Sequence, residues 1–268
     1  MQEAAITALG LMEAKQAAAP LKDILQAAKS DLRKVILDTL MGKAGIAKEE
    51  TANPFGGGKK KKETPIQVKK AAALVLSRIL PEVAVDPMIQ MLDSDNDNLK
   101  IAAMVGLGNM KATKAAPKII PLLQSEKLPL KKTATVIAGR IKSREAVSPL
   151  IKALSDSQEA IRVEAIIALN HIKPPEALKP IAELLNDKEV GVRKTAAIAL
   201  GNTKSDEAIE PLINAINDES WEVKKAVITS LGNFKAKNAM ERIVVLLGDS
   251  HEELRVAAAS AYSTLNAL

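Results

Sequence analysis

A phrase of fifteen residues, clearest as DKEVGVRKTAAIALG from Asp187 to Gly201, recurs along this chain at a fixed step. Toward the C-terminus it becomes DESWEVKKAVITSLG, ending at Gly232, and then DSHEELRVAAASAYS, ending at Ser263. Toward the N-terminus its endings fall at Asn170, Gly139, Gly108, Ser77, Met41 and Gly10. Seven of the eight intervals are 31 residues and one, Met41 to Ser77, is 36, so the register is kept across the chain with a single insertion. A step of this size means supersecondary units that bury their apolar faces by stacking on one another. The 268 residues are therefore expected to form one array, residues 1–268, instead of two conventional domains.

Each unit reads as two helices. The first carries A-x-x-P-L-x-x-x-L, as in AVSPLIKAL from Ala146 to Leu154. In the second, Val192, Thr195, Ala196, Ala199 and Leu200 fall at i, i+3, i+4, i+7 and i+8. That is one face of a helix of 3.6 residues per turn and excludes strands. Aromatics are 1% of the chain against 47% apolar residues, so the core must be Ala, Leu, Ile and Val, which suits closely approaching helices. Gly108, Gly201 and Gly232, with Asn170 in the same place, follow the last apolar residue, where a left-handed residue would end the helix. Pro20, Pro54, Pro87, Pro149, Pro180 and Pro211 share one register in the first helix and are expected near its start or at a kink.

The count is a lone second helix from Met1 to Leu9 and then eight helix pairs. One pair departs from the pattern. Its first helix is replaced by NPFGGGKKKKETP from Asn53 to Pro65, and residues 42–64 read as a degenerate unit with a mobile basic loop. Neither end shows the polar closing element an array needs, so the chain is expected to continue into a longer array or to pack its ends on something else.

The phrase A-x-x-P-L-x-x-L-x-D-x-x-x-x-V-R-x-x-A-A-x-A-L-G resembles HEAT-like repeats of the phycobilisome-lyase type, over essentially the whole chain. The resemblance implies an all-α right-handed α-α superhelix whose second helices line a concave side. Such repeats occur in bilin lyases, in deoxyhypusine hydroxylases, in accessory domains of larger enzymes and in plain interaction proteins, so the fold does not choose the function.

Two side-chain columns stand out. Arg33, Lys69, Lys100, Lys131, Arg162, Arg193, Lys224 and Arg255 form a basic ladder, one to a pair. Asp156, Asp187, Asp218 and Asp249 stand at a fixed offset from it in four pairs. A phosphate track would need these cations free. The matching aspartates point instead to an internal ladder between repeats, with the N-terminal half more open to partners. The second column lies one residue further on and one turn beyond, off the core-facing stripe: Lys70, Ile101, Val105, Lys132, Val136, Ile167, Lys194, Ile198 and Lys225. Aliphatics interleaved with lysines would make a groove about 80 Å long at 8–10 Å per helix layer. It would suit an acidic or amphipathic segment of another protein.

Chemistry has little to work with. There is no cysteine, which removes disulfides, thiolate catalysis and thiolate metal ligands. His251–Glu252 resembles the iron-binding pairs of deoxyhypusine hydroxylases, but those use several such pairs in matching repeats and this chain has one. No metal, cofactor or catalytic residue is therefore expected, and no P-loop, dinucleotide fingerprint or Ser–His–Asp pattern is present. The net charge of +6 owes much to Lys59–Lys62, a run expected to be solvated. Base recognition generally wants aromatic platforms, and Phe55, Trp221, Phe234 and Tyr262 are scattered over different units, with Trp221 at a loop-to-helix position where packing is its default role. No signal peptide or membrane-spanning stretch is visible. The expectation is a non-enzymatic protein-interaction scaffold. The alternatives are a bilin-lyase-like or other enzyme accessory subunit, and a binder of nucleic-acid backbone without specificity.

Overall fold

The structure is a computed structural model that describes residues 81–267. The lone helix at Met1–Leu9, the units up to Ser77 and the degenerate unit at 42–64 lie outside the described residues. The chain falls into two compact units, residues 1–119 and 120–268.

In the first unit, α1 (Pro81–Met91) packs on α2 (Asp97–Asn109), and α3 (Ala116–Ile119) follows a 3-10 turn at Thr113–Ala115. The Asn96 side chain starts α2 by accepting the Leu99 N–H at 3.1 Å. Met88, Met104, Leu107 and Ile119 are fully buried here.

The second unit opens with a 3-10 turn at Ile120–Gln124 against α4 (Leu128–Ile141). Then come the pairs α5 (Val147–Ala153) with α6 (Glu159–Ile172), and α7 (Leu178–Glu183) with α8 (Val190–Gly201). They are followed by α9 (Ile209–Asn214) with α10 (Trp221–Phe234), and α11 (Met240–Val245) with α12 (Glu252–Asn266). Each short first helix packs on its own second helix, while α4, α6, α8, α10 and α12 stack one on the next. The stripe read from the sequence is the core: Val192, Ala196, Ala199 and Leu200 are buried, as are their counterparts Val223, Val227 and Leu231. Among the described residues there is no strand, and no helix is long and apolar enough to cross a membrane.

Pro149, Pro180 and Pro211 are each the third residue of a first helix that grows out of a 3-10 turn. The missing N–H thus falls in the first turn, where it costs little. Pro87 lies inside α1, and Pro20 and Pro54 are outside the described residues.

The glycines do a different job from the one their position suggests. Helices α2, α4 and α10 run past Gly108, Gly139 and Gly232, and α6 runs past Asn170. A Cβ on Gly139 would stand 2.5 Å from the Ala168 Cα, and one on Gly201 would stand 2.3 Å from Ser230 Oγ. These glycines let successive second helices touch backbone to backbone, and the Ser230 hydroxyl donates to Ala197 O across the gap at 3.0 Å. The left-handed residues are lysines: Lys111, Lys142, Lys173, Lys204 and Lys235, with φ between 52° and 59°. A lysine beside a helix C-terminus gains from the helix dipole, which offsets part of the left-handed cost.

Candidate interaction face

Three members of the basic ladder, Lys131, Arg162 and Arg193, are spent on aspartates of the next repeat. Arg162 grips Asp187 of the next repeat with two hydrogen bonds, Nε to Oδ2 at 2.8 Å and Nη2 to Oδ1 at 2.7 Å. Its Nη1 donates back to the carbonyls of Asp156 and Ser157 in its own repeat. Arg193 repeats the arrangement on Asp218 at 2.7 and 3.0 Å, and adds Glu219 at 3.1 Å. Lys131 Nζ reaches Asp156 at 2.9 Å. Both arginines are buried, and the bidentate geometry is the strong form of ion pair.

The aspartates do more than neutralise. Asp156, Asp187, Asp218 and Asp249 each accept the N–H two residues on, which folds the chain into the following helix. Burial by itself would raise the Asp187 carboxyl. The Arg162 guanidinium and the Glu189 N–H outweigh it and hold the group below its ordinary value. Asp156 is held low in the same way against burial, by the Gln158 N–H and Lys131. Arg255 keeps the contacts to the Asp249 and Ser250 carbonyls, and the Asp249 carboxylate lies 2.9 Å from His251 Nδ1. In the N-terminal half, Lys100 is half-buried, and Arg33 and Lys69 are outside the described residues.

The second column stays at the surface. In the first unit Ile101 and Val105 are half-buried on α2, and Lys70 is outside the described residues. In the second unit Lys132, Ile167, Lys194, Ile198 and Lys225 are exposed and Val136 is half-buried. Lys132 lies 3.6 Å from Glu164 on the neighbouring helix. Of eight exposed large aliphatics among the described residues, Leu128, Ile167, Val190, Ile198 and Val256 stand on second helices, so exposed apolar surface is concentrated there. Val244, Val245 and Leu247, the other three, cluster at the last first helix.

Leu128, Val190 and Trp221 were not in the column read from the sequence. They are the first residues of α4, α8 and α10, one register position at intervals of 31 and 62 residues. Aligning the helix starts exposes this third column, with Asp97, Glu159 and Glu252 as its other described members. Trp221 reads from sequence as a packing residue, yet it is only half-buried. His251 stacks on it with ring centroids 5.6 Å apart and planes 16° from parallel, and Lys225 Nζ stands over the indole at 5.9 Å.

Two hollows open on this face. Between α8 and α10, about 290 Å³ is lined by Lys194, Ile198, Trp221, Lys225, Ala226 and Thr229 among others. Between α10 and α12, about 570 Å³ is lined by Lys225, Asn233, Glu253, Val256 and Ser260 among others. Lys225 belongs to both. Among the described residues no cluster of three or more His, Cys, Asp and Glu side chains is placed to hold a metal ion.

The family model for HEAT repeats matches residues 85–159, 116–201, 147–218 and 209–266, well over half of the sequence. This chain belongs to the HEAT-repeat family. A search of curated proteins by sequence gives no match. Among solved structures, YIBA_ECOLI is similar with a TM-score of 0.60 at 16% identity, covering 97% of this chain and 91% of that one. Computationally designed armadillo repeat proteins for modular peptide recognition are similar with a TM-score of 0.52 at 22% identity, covering 68% of this HEAT-repeat chain and all (100%) of theirs. The complex of CpcE and CpcF of phycocyanin lyase from Nostoc gives 0.49 at 17% identity, covering 82% and 99%, a fit too loose to carry an argument. At these identities the likeness concerns the fold, an all-α solenoid of stacked helical hairpins.

Proposed function

We propose that this HEAT-repeat chain is a non-enzymatic scaffold that seats a segment of another protein along its second helices. The observation that carries the reading is the surface column itself, where half-exposed Ile167 and Ile198 alternate with Lys132, Lys194 and Lys225. Isolated exposed aliphatics need no explanation, but a row of them on a face that also carries cations is what an acidic amphipathic partner would bury. Arg162 and Arg193 of the ladder are already paired with aspartates and Lys132 with Glu164, so the attraction is assigned chiefly to Lys194 and Lys225. Stacked repeats bind in this manner because each contributes a small patch to one continuous surface. The designed armadillo proteins of similar fold, made for modular peptide recognition, use repetition to the same end.

The test is a pull-down with wild-type chain and a Lys132→Glu/Lys194→Glu/Lys225→Glu variant, with captured proteins identified by mass spectrometry and rebound after purification. A discrete partner bound by wild type and lost in the variant is expected. A variant that keeps every partner overturns the assignment of the face. Nucleic acid in the eluate with a steep salt dependence, or a pigment with visible absorbance, would replace the scaffold reading outright.

A further inference from the structure

We infer that the hollow between α8 and α10 is the anchor point of this face, taking one bulky apolar side chain flanked by a carboxylate in an acidic segment of another protein. The inference rests on the scaffold reading above and sharpens it to a site and a ligand class.

Three observations converge on the hollow. Its apolar lining is exposed to an unusual degree for this chain: Ile198 is 46% exposed, and beside it stands Trp221, the single tryptophan. Its volume of about 290 Å³ is at the small end for ligand sites, which run from roughly 300 Å³ upward, so it is sized for a side chain. Its charge is lopsided, with Lys194 and Lys225 in the lining against one acid, Glu222. The Ser220 hydroxyl and the Glu222 backbone N–H hold that carboxylate below its ordinary value, and Lys194 and His251 act in the same sense against a small opposing effect of burial. Glu222 therefore remains an anion and offsets one of the two lysines, and the lining keeps an excess of positive charge to attract an incoming carboxylate.

The shape is built by packing. Gly201 and Ser230 bring α8 and α10 into contact at one end, where a methyl on Gly201 would meet the Ser230 side chain. Along the same helices, Ile198 and Thr229 stay on the surface. Trp221 is braced by His251, itself within 2.9 Å of Asp249, so the wall of the hollow is set before a partner arrives. A rigid aromatic in a half-enclosed hollow next to cations is the arrangement that concentrates binding energy at an interface. A nucleobase would have to displace His251 or Lys225 to stack on the indole, which favours a protein side chain over a nucleic-acid strand.

The experiment pans a random-peptide display library on the full chain, then titrates the selected peptides while recording tryptophan emission, which reports Trp221 alone. Selected peptides are expected to share a bulky apolar residue next to Asp or Glu, to shift the emission, and to lose at least about tenfold in affinity on Ile198→Asp, which is about 1.4 kcal/mol. Ile198 is exposed enough for that variant to keep its helix content, checked by circular dichroism, and Lys225→Gln supplies a second variant with a smaller expected loss. If the peptides lose binding in the triple lysine variant yet leave the emission and the Ile198→Asp affinity unchanged, the pocket is refuted and the face stands. If selection yields no acidic consensus, or the peptides ignore the lysines, both fail. An oligonucleotide that shifts the emission at lower concentration than any peptide, or concentration-dependent self-association abolished by Ile198→Asp, would give the hollow to another occupant.

Discussion

Arg162→Ala should unfold the array from the inside. The side chains of Arg162 and Asp187 are 6% and 9% exposed, so the pair is largely removed from solvent. Deleting the arginine leaves Asp187 with the Glu189 N–H as its remaining strong partner, and strips a donor from the Asp156 and Ser157 carbonyls. Removing one member of a buried pair costs about 3–5 kcal/mol, a shift of roughly two to three and a half decades in the folding equilibrium. In a solenoid that loss is local, since each repeat is held by its neighbours. Urea unfolding followed by circular dichroism should therefore begin earlier and lose coincidence with Trp221 emission, because the weakened interface and the reporter lie in different repeats.

The double variant Arg162→Met/Asp187→Asn tests the reasoning. Asparagine keeps an acceptor for the Glu189 N–H while removing the charge left unpaired, so a good part of the loss should return. A cost below about 1 kcal/mol for Arg162→Ala would mean that the pair behaves as an exposed one. A double variant no better than the single would mean that the damage does not come from the unpaired charge. Either result refutes the account of the ladder.

Other expectations follow from the same geometry. The folded-state carboxyls of Asp156 and Asp187 are depressed, so their contribution is complete above the unfolded value of about 3.9 and is lost as pH falls through the folded one; acid titration should show a decline starting near pH 4 that is shallower in Asp187→Asn. Gly139→Ala gains about 1 kcal/mol in helix propensity but drives a methyl into the Ala168 backbone, for a net loss of about 1–2 kcal/mol by denaturation. Gly248→Ala meets nothing within 4 Å and should leave the midpoint unchanged or slightly raised. Lys204→Gly relieves a left-handed lysine and should stabilise by up to about 1 kcal/mol, less what the unfolded chain gains in freedom.

The fold was legible because two periods coincide, the helical one within Val192–Leu200 and the 31-residue one between repeats. The Asp–Arg ladder was legible for the same reason: a charge pair kept at a fixed offset in several units has to be internal. The glycines misled because a helix end and a helix–helix contact both select glycine, and only the position of the neighbouring backbone separates them. Lysine at the left-handed position was hidden by its chemistry, since nothing in a lysine signals positive φ. Trp221 was read as packing because a single tryptophan has no periodic partner of its own kind; its column appears once Leu128 and Val190 are set beside it.

The repeats also serve as comparisons for one another, and that separates structure from recognition. Columns that hold one chemistry along the described units, such as the buried aliphatics of the second helices in all of them and the left-handed lysine in all but the last, meet a shared demand, which is folding. The helix-start column runs Asp97, Leu128, Glu159, Val190, Trp221, Glu252, and its neighbour runs Ile101, Lys132, Val163, Lys194, Lys225, Val256. Stacking places no such varied demand on successive units, because the same helix–helix contact recurs in each. Surface positions that change between apolar, cationic and acidic from one unit to the next are what a partner of fixed, aperiodic sequence would impose. The hollow beside Trp221 is where the two varying columns meet with an aromatic, an exposed isoleucine and two lysines in one lining, so if the proposed scaffold reading holds, it is where a partner's identity should be read.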